Sequence, residues 1–129
     1  MFHIESPRTG DQATEQLIKA KGADKAPRVT PADIEANIVS EHYFTADDGV
    51  TGVSFKNKSA EVCPSSLKLL TFCVLVLRSG FTVTGESACA SPENFDAEIG
   101  RKIARQNAID KIWPLMGYEL KCRLARGEA

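Results

Sequence analysis

An apolar run followed by alternating polar and apolar positions predicts a β-hairpin in the second half of the chain. The first strand should cover about Leu70 to Arg78 and the second about Phe81 to Ala88, because both stretches are rich in β-branched and aromatic residues. The connector Ser79-Gly80 predicts a two-residue turn, since glycine readily takes the positive φ angle that such turns need. This turn sets a register in which Val76 pairs with Val83.

The first strand of this hairpin is apolar on both of its faces, because side chains alternate along a strand. One face carries Phe72, Val74 and Val76, and the other carries Thr71, Cys73, Leu75 and Leu77. An antiparallel strand with two apolar faces is covered on both sides. A chain of 129 residues offers few helices for that purpose. We therefore expect a helix on one face and a second protomer on the other, in a homodimer or a higher homo-oligomer.

A long amphipathic helix should follow the hairpin. Ser91 suits the N-cap position, and Pro92 suits the first helical position. Apolar residues then recur at spacings of four and five residues. The predicted buried stripe consists of Phe95, Ile99, Ile103, Ala108 and Ile112. Gly100 in the middle of the helix predicts close packing on the sheet. Pro114 should end this helix, and Leu115 to Leu124 should form a second, shorter one.

The N-terminal part of the chain has weaker patterns. Residues 1–29 are expected to form a mobile arm, or a peripheral helix over Asp11 to Lys21. Thr30 and Pro31 are a good helix start, because threonine can cap and proline fits the first turn. The helix that begins there should end near Ser40.

The predicted fold class is α+β, with an antiparallel β-hairpin-based sheet packed against C-terminal α-helices in an oligomer. Before the hairpin, His42 to Thr45 predicts a short strand and Ala46 to Gly49 predicts a turn. Residues 50–66 are predicted as a loop with one short extended piece. We expect a single domain over residues 30–124, followed by a frayed tail at residues 125–129.

Composition narrows the function only a little. The chain is 43% hydrophobic and 26% charged, and its formal net charge of −1 argues against a general nucleic-acid binder. The charge is uneven, because residues 101–129 carry 7 Lys/Arg and 3 Asp/Glu and so a net +4, whereas residues 1–100 carry a net −5. The basic end can hold phosphates, or it can form a solvated helix face.

The cysteines are widely spaced and the chain has only two histidines, so no zinc site is expected. The four cysteines are Cys63, Cys73, Cys89 and Cys122. No signal peptide opens the chain, and its longest apolar run, Leu69 to Leu77, is too short to cross a membrane. We therefore expect reduced thiols and a cytoplasmic location.

Neither cofactor nor catalytic machinery is indicated by the motifs. The sequence G-x-S-x-G is absent, and a histidine in a short strand, such as His42, is more often structural than catalytic. Cys89 lies just before the main helix and could be an activated thiol, but a small buried residue at a corner is the commoner case. Function is instead expected at the polar, glycine-containing corner between sheet and helix, Thr84 to Ser87.

Residues near this corner suit an anionic ligand that carries a base. A helix N-terminus presents unpaired N–H groups and a positive dipole end, which favour phosphate. Asn94 can hydrogen-bond a base edge, and Phe95 can stack on a base, although its spacing also suits the core. Arginines can grip phosphate or line a solvated face. The candidate ligand-binding residues are Asn94, Phe95, Arg101, Arg105, Asn107, Lys111 and Arg123.

From Gly80 onward the chain resembles a known family. The stretch GFTVTGESACASPENFDAEIGRKIARQNAIDKIWPLMGY, with LLTFCVLVLRSG before it, resembles the gene 49/gene 66 family of small proteins from tailed phages and prophages. Ser79 stands where that family commonly has Asn. The resemblance covers roughly residues 30–124 and implies a phage protein, in a family long labelled as having unknown function.

The predicted architecture is also similar to that of the Thoeris anti-defence proteins of phages. Those proteins assemble from dimers, bind cyclic ADP-ribose-type immune signals and withhold them without cleaving them. This resemblance implies a non-enzymatic protein that sequesters a cyclic nucleotide, with the candidate residues assigned by chemistry alone. Two alternatives stay open. The chain can be an interaction module that binds and modulates a host protein, or an enzyme on nucleotides that uses Cys89 or His42.

Overall fold

The computed structural model describes residues 7–59 and 62–128, with side chains described from residue 10 onward. These residues form an α+β fold in which a three-stranded antiparallel sheet carries a long C-terminal helix on one face. The elements are α1 (Pro7–Ala20), α2 (Pro31–Asn37), β1 (Ile38–Thr45), α3 (Ala46–Lys56), β2 (Leu70–Leu77), β3 (Thr82–Ala88) and α4 (Ala97–Ala125). The predicted fold class is confirmed, while its oligomeric part stays a prediction.

The sheet has the strand order β1-β2-β3, so the apolar strand β2 is central. The hairpin is confirmed, but its predicted register is wrong by one residue, because Leu75 and not Val76 pairs with Val83. Three residues, Arg78 to Gly80, form the connection, and the Gly80 N–H donates to the Leu77 carbonyl at 2.8 Å. Gly80 has φ +89°, which closes the three-residue loop at low cost.

The extra loop residue decides which face of the sheet each β3 side chain occupies. A register slip of one residue turns every side chain of a strand to the opposite face. In the predicted register Val83 would lie beside Val76 on the face without a helix. In the structure Val83 lies beside Leu75 under α4, and it is only 6% exposed. The three-residue loop therefore brings Val83 into the core.

The start of α2 is as predicted. The Thr30 hydroxyl accepts the Asp33 N–H at 3.1 Å, and the Asp33 carboxylate accepts the Thr30 N–H at 2.9 Å, which is a capping box. The helix ends at Asn37, earlier than the predicted Ser40. Strand β1 begins immediately afterwards, so it is twice as long as the predicted strand at His42 to Thr45.

A helix occupies the region that the sequence analysis predicts as a turn and loop, so this prediction is wrong for Ala46–Lys56. Helix α3 starts with a second capping box, in which Thr45 and Asp48 exchange hydrogen bonds of 2.9 and 3.1 Å. Helix α3 has only three valine or phenylalanine side chains and contains two glycines, so its amphipathic pattern is weak. The spacing of apolar residues therefore does not predict this helix. The local cap is therefore the signal that identifies it.

The C-terminal helix differs from its prediction at both the start and the middle. Helix α4 is capped by Asp96, whose carboxylate accepts the Ile99 N–H at 3.0 Å, so Ser91 is not its cap. Pro92–Asn94 form a separate 3₁₀ helix. Pro114 lies inside α4 rather than at its end, and no second helix forms. Core packing by the residues on both sides of Pro114, including Ile112 and Met116, offsets the lost backbone hydrogen bond.

The core lies between α4 and one face of the sheet. The buried apolar residues are Ile34, Cys73, Leu75, Leu77, Val83, Ala104, Ala108, Ile109 and Ile112. Ala108 and Ile112 of the predicted helix stripe are among them, but Phe95, Ile99 and Ile103 are only half-buried. Small residues at Gly100, Ala104 and Ala108 instead face the sheet, which lets the helix axis come close to the strands.

Helix α1 lies beside this core and is the peripheral helix that was one of the two predicted alternatives for residues 1–29. Its Glu15 forms two hydrogen bonds with Arg28, one of them 2.8 Å long. Mobility of this region and the domain bounds 30–124 stay predictions. At the other end, α4 reaches Ala125, and Arg126 pairs with Glu128 at 2.7 Å in the predicted tail. In the described part of the chain, no helix is long and apolar enough to cross a membrane.

Candidate functional site

The predicted functional corner at Thr84 to Ser87 is filled by the chain itself. Gly85 of β3 lies directly against the backbone of α4. A Cβ atom built on Gly85 would overlap the carbonyl oxygen of Ala104 and the amide nitrogen of Ala108, and it would lie 2.9 Å from the carbonyl carbon of Asn107. No ligand fits between the two backbones at Gly85, so the side of the corner that faces α4 is a packing contact, while Thr84 and Glu86 are exposed.

The end of α4 that was expected to bind phosphate is already occupied by a carboxylate. Asp96 accepts one of the first N–H groups and places its own negative charge at the positive end of the helix. Asn94 is exposed, and Phe95 is half-buried with Gly100 close to its ring. A phosphate would have to compete with Asp96, so the prediction of an anion site here is weakened.

Arg105 lies in an ion-pair network that joins three elements. Its guanidinium bonds the Glu35 carboxylate of α2 at 2.9 and 3.2 Å. It also bonds the Glu41 carboxylate of β1 at 3.0 to 3.2 Å. Tyr43 donates its hydroxyl hydrogen to Glu41 at 2.7 Å. The hydrogen bonds with Glu35, and after them those with Glu41, raise the pKa of Arg105 above its ordinary value. Arg105 therefore links α4 to β1 and α2, and it is not free to clamp a ligand.

Tyr43 of this network should make the stability of the fold depend on pH in the alkaline range. Burial, and then the hydrogen bond to Glu41, raise the pKa of Tyr43 well above its ordinary value near 10. Above about pH 10 the unfolded chain releases the Tyr43 proton while the folded chain still holds it, so unfolding becomes more favourable. The contribution of Tyr43 to stability is therefore complete below about pH 10 and is lost as the pH rises further. We expect the free energy of unfolding to fall above about pH 10, and Tyr43→Phe to flatten that fall. Urea titrations between pH 8 and pH 11 measure it, and an identical slope in the variant would contradict it.

The remaining predicted residues do not come together in one place. Arg101 is exposed near the start of α4, and Arg123 lies near its end. At 1.5 Å per residue these two positions are about 33 Å apart along the helix, so one copy of the chain does not bring them together. Asn107 donates its side-chain N–H to the Glu86 carbonyl at 2.8 Å, on the outer edge of β3. Only Lys111 and Arg123 lie at the same end of the molecule, beside the groove described next.

An open groove lies where α4 extends beyond the sheet. Helix α4 is about 43 Å long, whereas an eight-residue strand spans about 26 Å. The free end of α4, the hairpin loop, α2 and the segment before α2 therefore enclose a groove of 1030 Å³. We call it the hairpin-end groove. Its lining residues are Pro27, Arg28, Val29, Asp33, Ala36, Asn37, Leu77, Arg78, Ser79, Phe81, Leu115, Met116, Glu119, Leu120 and Arg123.

A second hollow of 610 Å³ adjoins this groove on the other side of Phe81 and Leu115. It is lined by these two residues and by Thr82, Val83, Thr84, Asp110, Lys111, Pro114 and Tyr118. Phe81 is 58% exposed, Leu115 is 40% exposed and Tyr118 is 74% exposed. Large apolar side chains are thus presented to solvent on a ridge between two open hollows, which is typical of a binding surface.

Most charges at the hairpin-end groove are paired. Arg123 bonds both carboxylate oxygens of Glu119, at 3.0 and 2.8 Å, and Arg28 bonds Glu15. Asp33 is engaged in the cap of α2. The described residues contain no ion-pair partner for Arg78, whose backbone N–H is held by Asn37 while its side chain is exposed. The rim therefore presents one unpaired positive charge to whatever the groove binds.

Residues that could perform catalysis are not concentrated at this groove. Cys73 is fully buried, and burial raises the pKa of its thiol. His42 is exposed on the sheet and bonds Ser40 at 3.1 Å, and the Cys89 thiol donates to the Ser91 carbonyl at 3.3 Å. Among the described residues, no three His, Cys, Asp or Glu side chains lie close enough to hold a metal ion.

Sequence reasoning overlooked Arg78 and Phe81, because it treated them only as strand ends. A signal was present, since the predicted hairpin loop placed an arginine and a phenylalanine on either side of Ser79-Gly80. What the sequence did not reveal was that α4 continues past Pro114 and forms the opposite wall of the groove. If α4 ended at Pro114, residues 115–123 would not be held opposite the loop by a continuous helix.

Residues 29–124 match the model of the Phage protein (N4 Gp49/phage Sf6 gene 66) family. Neither a curated protein nor a solved structure matches the chain. The family resemblance predicted from the sequence is therefore confirmed, and the matched range begins one residue before the predicted one. None of these findings connects the chain to the Thoeris anti-defence proteins, so that resemblance stays a proposal.

Proposed function

The chain belongs to the Phage protein (N4 Gp49/phage Sf6 gene 66) family, and from this premise we propose that it is a phage interaction module that binds a segment of a host protein in the hairpin-end groove. The observation that carries the proposal is the exposed ridge of Phe81 and Leu115 between two open hollows. Aromatic and aliphatic anchors of this kind supply most of the affinity at protein interfaces. The activity is proposed for the cytoplasm of the infected cell.

The dimensions of the groove suit a short helix of the partner. A helix about 10 Å in diameter with a rise of 1.5 Å per residue displaces roughly 120 Å³ per residue, so 1030 Å³ corresponds to about nine residues. Leu77, Met116 and Leu120 offer an apolar floor for the apolar stripe of such a helix. The unpaired charge of Arg78 at the rim favours an acidic residue beside that stripe. The proposed partner segment is therefore amphipathic and acidic.

Sequestration of a cyclic nucleotide is the second proposal, and it rests on a smaller observation. Arg78, Phe81 and Asn37 at the groove could contact a phosphate, a base face and a base edge, and Arg123 lies beside them. Two features argue against it. The groove is open to solvent, and its other arginines are paired with glutamates, whereas tight sequestration needs enclosure and available cations. The protein-binding proposal accounts for the exposed apolar ridge, which a nucleotide would leave largely uncovered.

Leu115→Glu should remove the proposed activity, because it places a charge in the centre of the ridge. The wild-type chain, immobilised and exposed to a bacterial host lysate, is expected to retain one partner in stoichiometric amount. Leu115→Glu is expected to retain at least about tenfold less, the equivalent of 1.4 kcal/mol of binding free energy. A photo-cross-linker in place of Tyr118, which is 74% exposed, should attach to an acidic amphipathic segment of that partner.

Phe55→Glu is the matched control, since Phe55 is 87% exposed on α3 and lies outside both hollows. It should retain the partner as the wild type does. If Leu115→Glu retained as much partner as the wild type, the groove would be excluded as the binding site. A cross-link outside an acidic amphipathic segment of the partner would exclude it too. The nucleotide proposal is tested in parallel with cyclic ADP-ribose isomers. A rise in Tm that Arg78→Ala abolishes, together with recovery of the intact nucleotide after heating, would support sequestration and count against a protein partner.

A further inference from the structure

The sheet has a second face, opposite α4, that carries an apolar stripe along its centre. We call it the open face. Phe72, Val74 and Val76 of β2 form the stripe, and they are half-buried. Phe44 of β1 extends the stripe sideways, with its ring centroid 5.6 Å from that of Phe72. Phe44 remains 41% exposed, so this cluster is incompletely covered within one copy of the chain.

The two margins of the open face carry groups that complement each other. His42 lies on the β1 margin beside Val74, and Glu86 lies on the β3 margin beside Phe72. Both are exposed. A two-fold axis parallel to the strands would lay β1 of one copy over β3 of another, because such a rotation exchanges the two margins. The imidazole of each copy then lies over the margin that carries the carboxylate of the other, on both sides of the apolar stripe.

Pairing of two copies through the sheet edges is less favourable than pairing through the open face. On the β3 edge, the Asn107 side chain already occupies the outward carbonyl of Glu86 at 2.8 Å. On the β1 edge, the register is interrupted by a bulge between Ile38 and Ser40. Edge guards and bulges are the devices by which natural sheets resist edge-to-edge association. The described residues of the apolar stripe on the open face, by contrast, include no bulge, and no hydrogen-bonding side chain among the described residues covers them.

We propose that a second copy of this chain covers the open face, forming a symmetric dimer in which two sheets pack face to face. Three strands of seven or eight residues, spaced about 4.8 Å apart, present roughly 400 Å² per copy. This is about half of what each partner buries in a standard stable interface. The dimer is accordingly weak and forms in the micromolar range. The surface is separate from the hairpin-end groove, so this inference stands or falls independently of the proposed function.

Sedimentation velocity of the full chain from about 5 to about 500 µM tests the dimer. The wild type should move from monomer to dimer across this range, and Val74→Glu should raise the dissociation constant at least about tenfold by placing a carboxylate in the stripe. Leu124→Glu is the matched control, because it changes an exposed leucine of α4, the helix that packs on the opposite face of the sheet. It should leave the dissociation constant unchanged.

A charge exchange at the margins keeps the test decisive if Val74→Glu fails to fold. His42→Glu and Glu86→Lys alter exposed side chains, and each alone should weaken the dimer. The first places two carboxylates at facing margins, and the second removes the carboxylate that can accept a hydrogen bond from the imidazole. Combining the two substitutions places a carboxylate and an ammonium group at the facing margins, so that complementary groups again face each other between the copies. The combined variant should therefore restore the wild-type dissociation constant to within about threefold. A wild type that stays monomeric at the highest concentration would overturn the proposal, and a dimer that is insensitive to these three variants would overturn it equally.

Discussion

Gly85→Ala is expected to unfold the protein, or to destabilise it by at least about 4 kcal/mol. The added methyl group would overlap the backbone atoms of Ala104 and Ala108 in α4, and backbone in a packed helix cannot rotate away as a side chain can. Relief would require α4 to move off the sheet, which would expose fully buried residues such as Leu75 and Ile109. Most small domains have only about 5–15 kcal/mol of stability in total. Urea denaturation followed by circular dichroism measures the loss.

Gly117→Ala is the matched control for this experiment. Gly117 lies within α4, but a Cβ atom added there would meet nothing within 4 Å. Since alanine is the better helix former, this variant should gain roughly 0.5–1 kcal/mol. A Gly85→Ala protein within about 1 kcal/mol of the wild type would mean that β3 and α4 do not lie in direct backbone contact.

Arg105→Met should have the second-largest effect, a loss of roughly 2–3 kcal/mol. Methionine preserves much of the side-chain volume but leaves the carboxylates of Glu35 and Glu41 without the guanidinium that bonds both of them. The loss is smaller than for a fully buried ion pair, because Glu35 and Glu41 keep about 40% of their side-chain exposure. Thermal denaturation at low and high salt measures it, and the destabilisation should persist at both.

Arg101→Met serves as the comparison, one helical turn earlier on α4. Arg101 is exposed, and the described residues include no carboxylate paired with it. Its replacement should change stability by less than about 0.5 kcal/mol. If Arg105→Met were as stable as Arg101→Met, the network would not hold the fold, and Arg105 would again be a candidate for ligand binding. The two results together decide between a structural and a binding role.

Local sequence signals predicted the elements whose bonds close within a few residues. The Thr30 cap depends on Asp33 three residues later, and it was predicted correctly. The alternation of β2 depends only on neighbouring positions, and its residues Cys73 and Leu75 are buried as expected. The Thr45–Asp48 cap also joins residues only three positions apart, but it was not predicted. The neighbouring Asp and Gly residues, which are common in turns, led to the prediction of a turn and loop instead.

The predicted ligand-binding residues stay a prediction, and the structure shows that several of them are held by residues distant in sequence. The sequence suggests Arg105 as a phosphate ligand. In the structure its guanidinium is hydrogen-bonded to Glu35 and Glu41, which lie 70 and 64 positions away in the sequence. Asn107 is likewise a candidate for ligand binding by sequence, but its side chain donates a hydrogen bond to the Glu86 carbonyl on the outer edge of β3. The groove beside Arg78 and Phe81 exists only because α4 continues through Pro114 to face them. A single sequence contains no periodicity that reports such pairs.

The sequence by itself determined that the chain is α+β, that its central strand is apolar on both faces, and that it belongs to a phage protein family. These properties follow from alternation, caps and motif identity, which neighbouring residues specify. Only the tertiary structure decided the face that β3 presents, the continuity of α4 and the pairing of its arginines. A one-residue loop difference turns Val83 from one face to the other, and the free energy that selects between such arrangements comes from packing across the whole core.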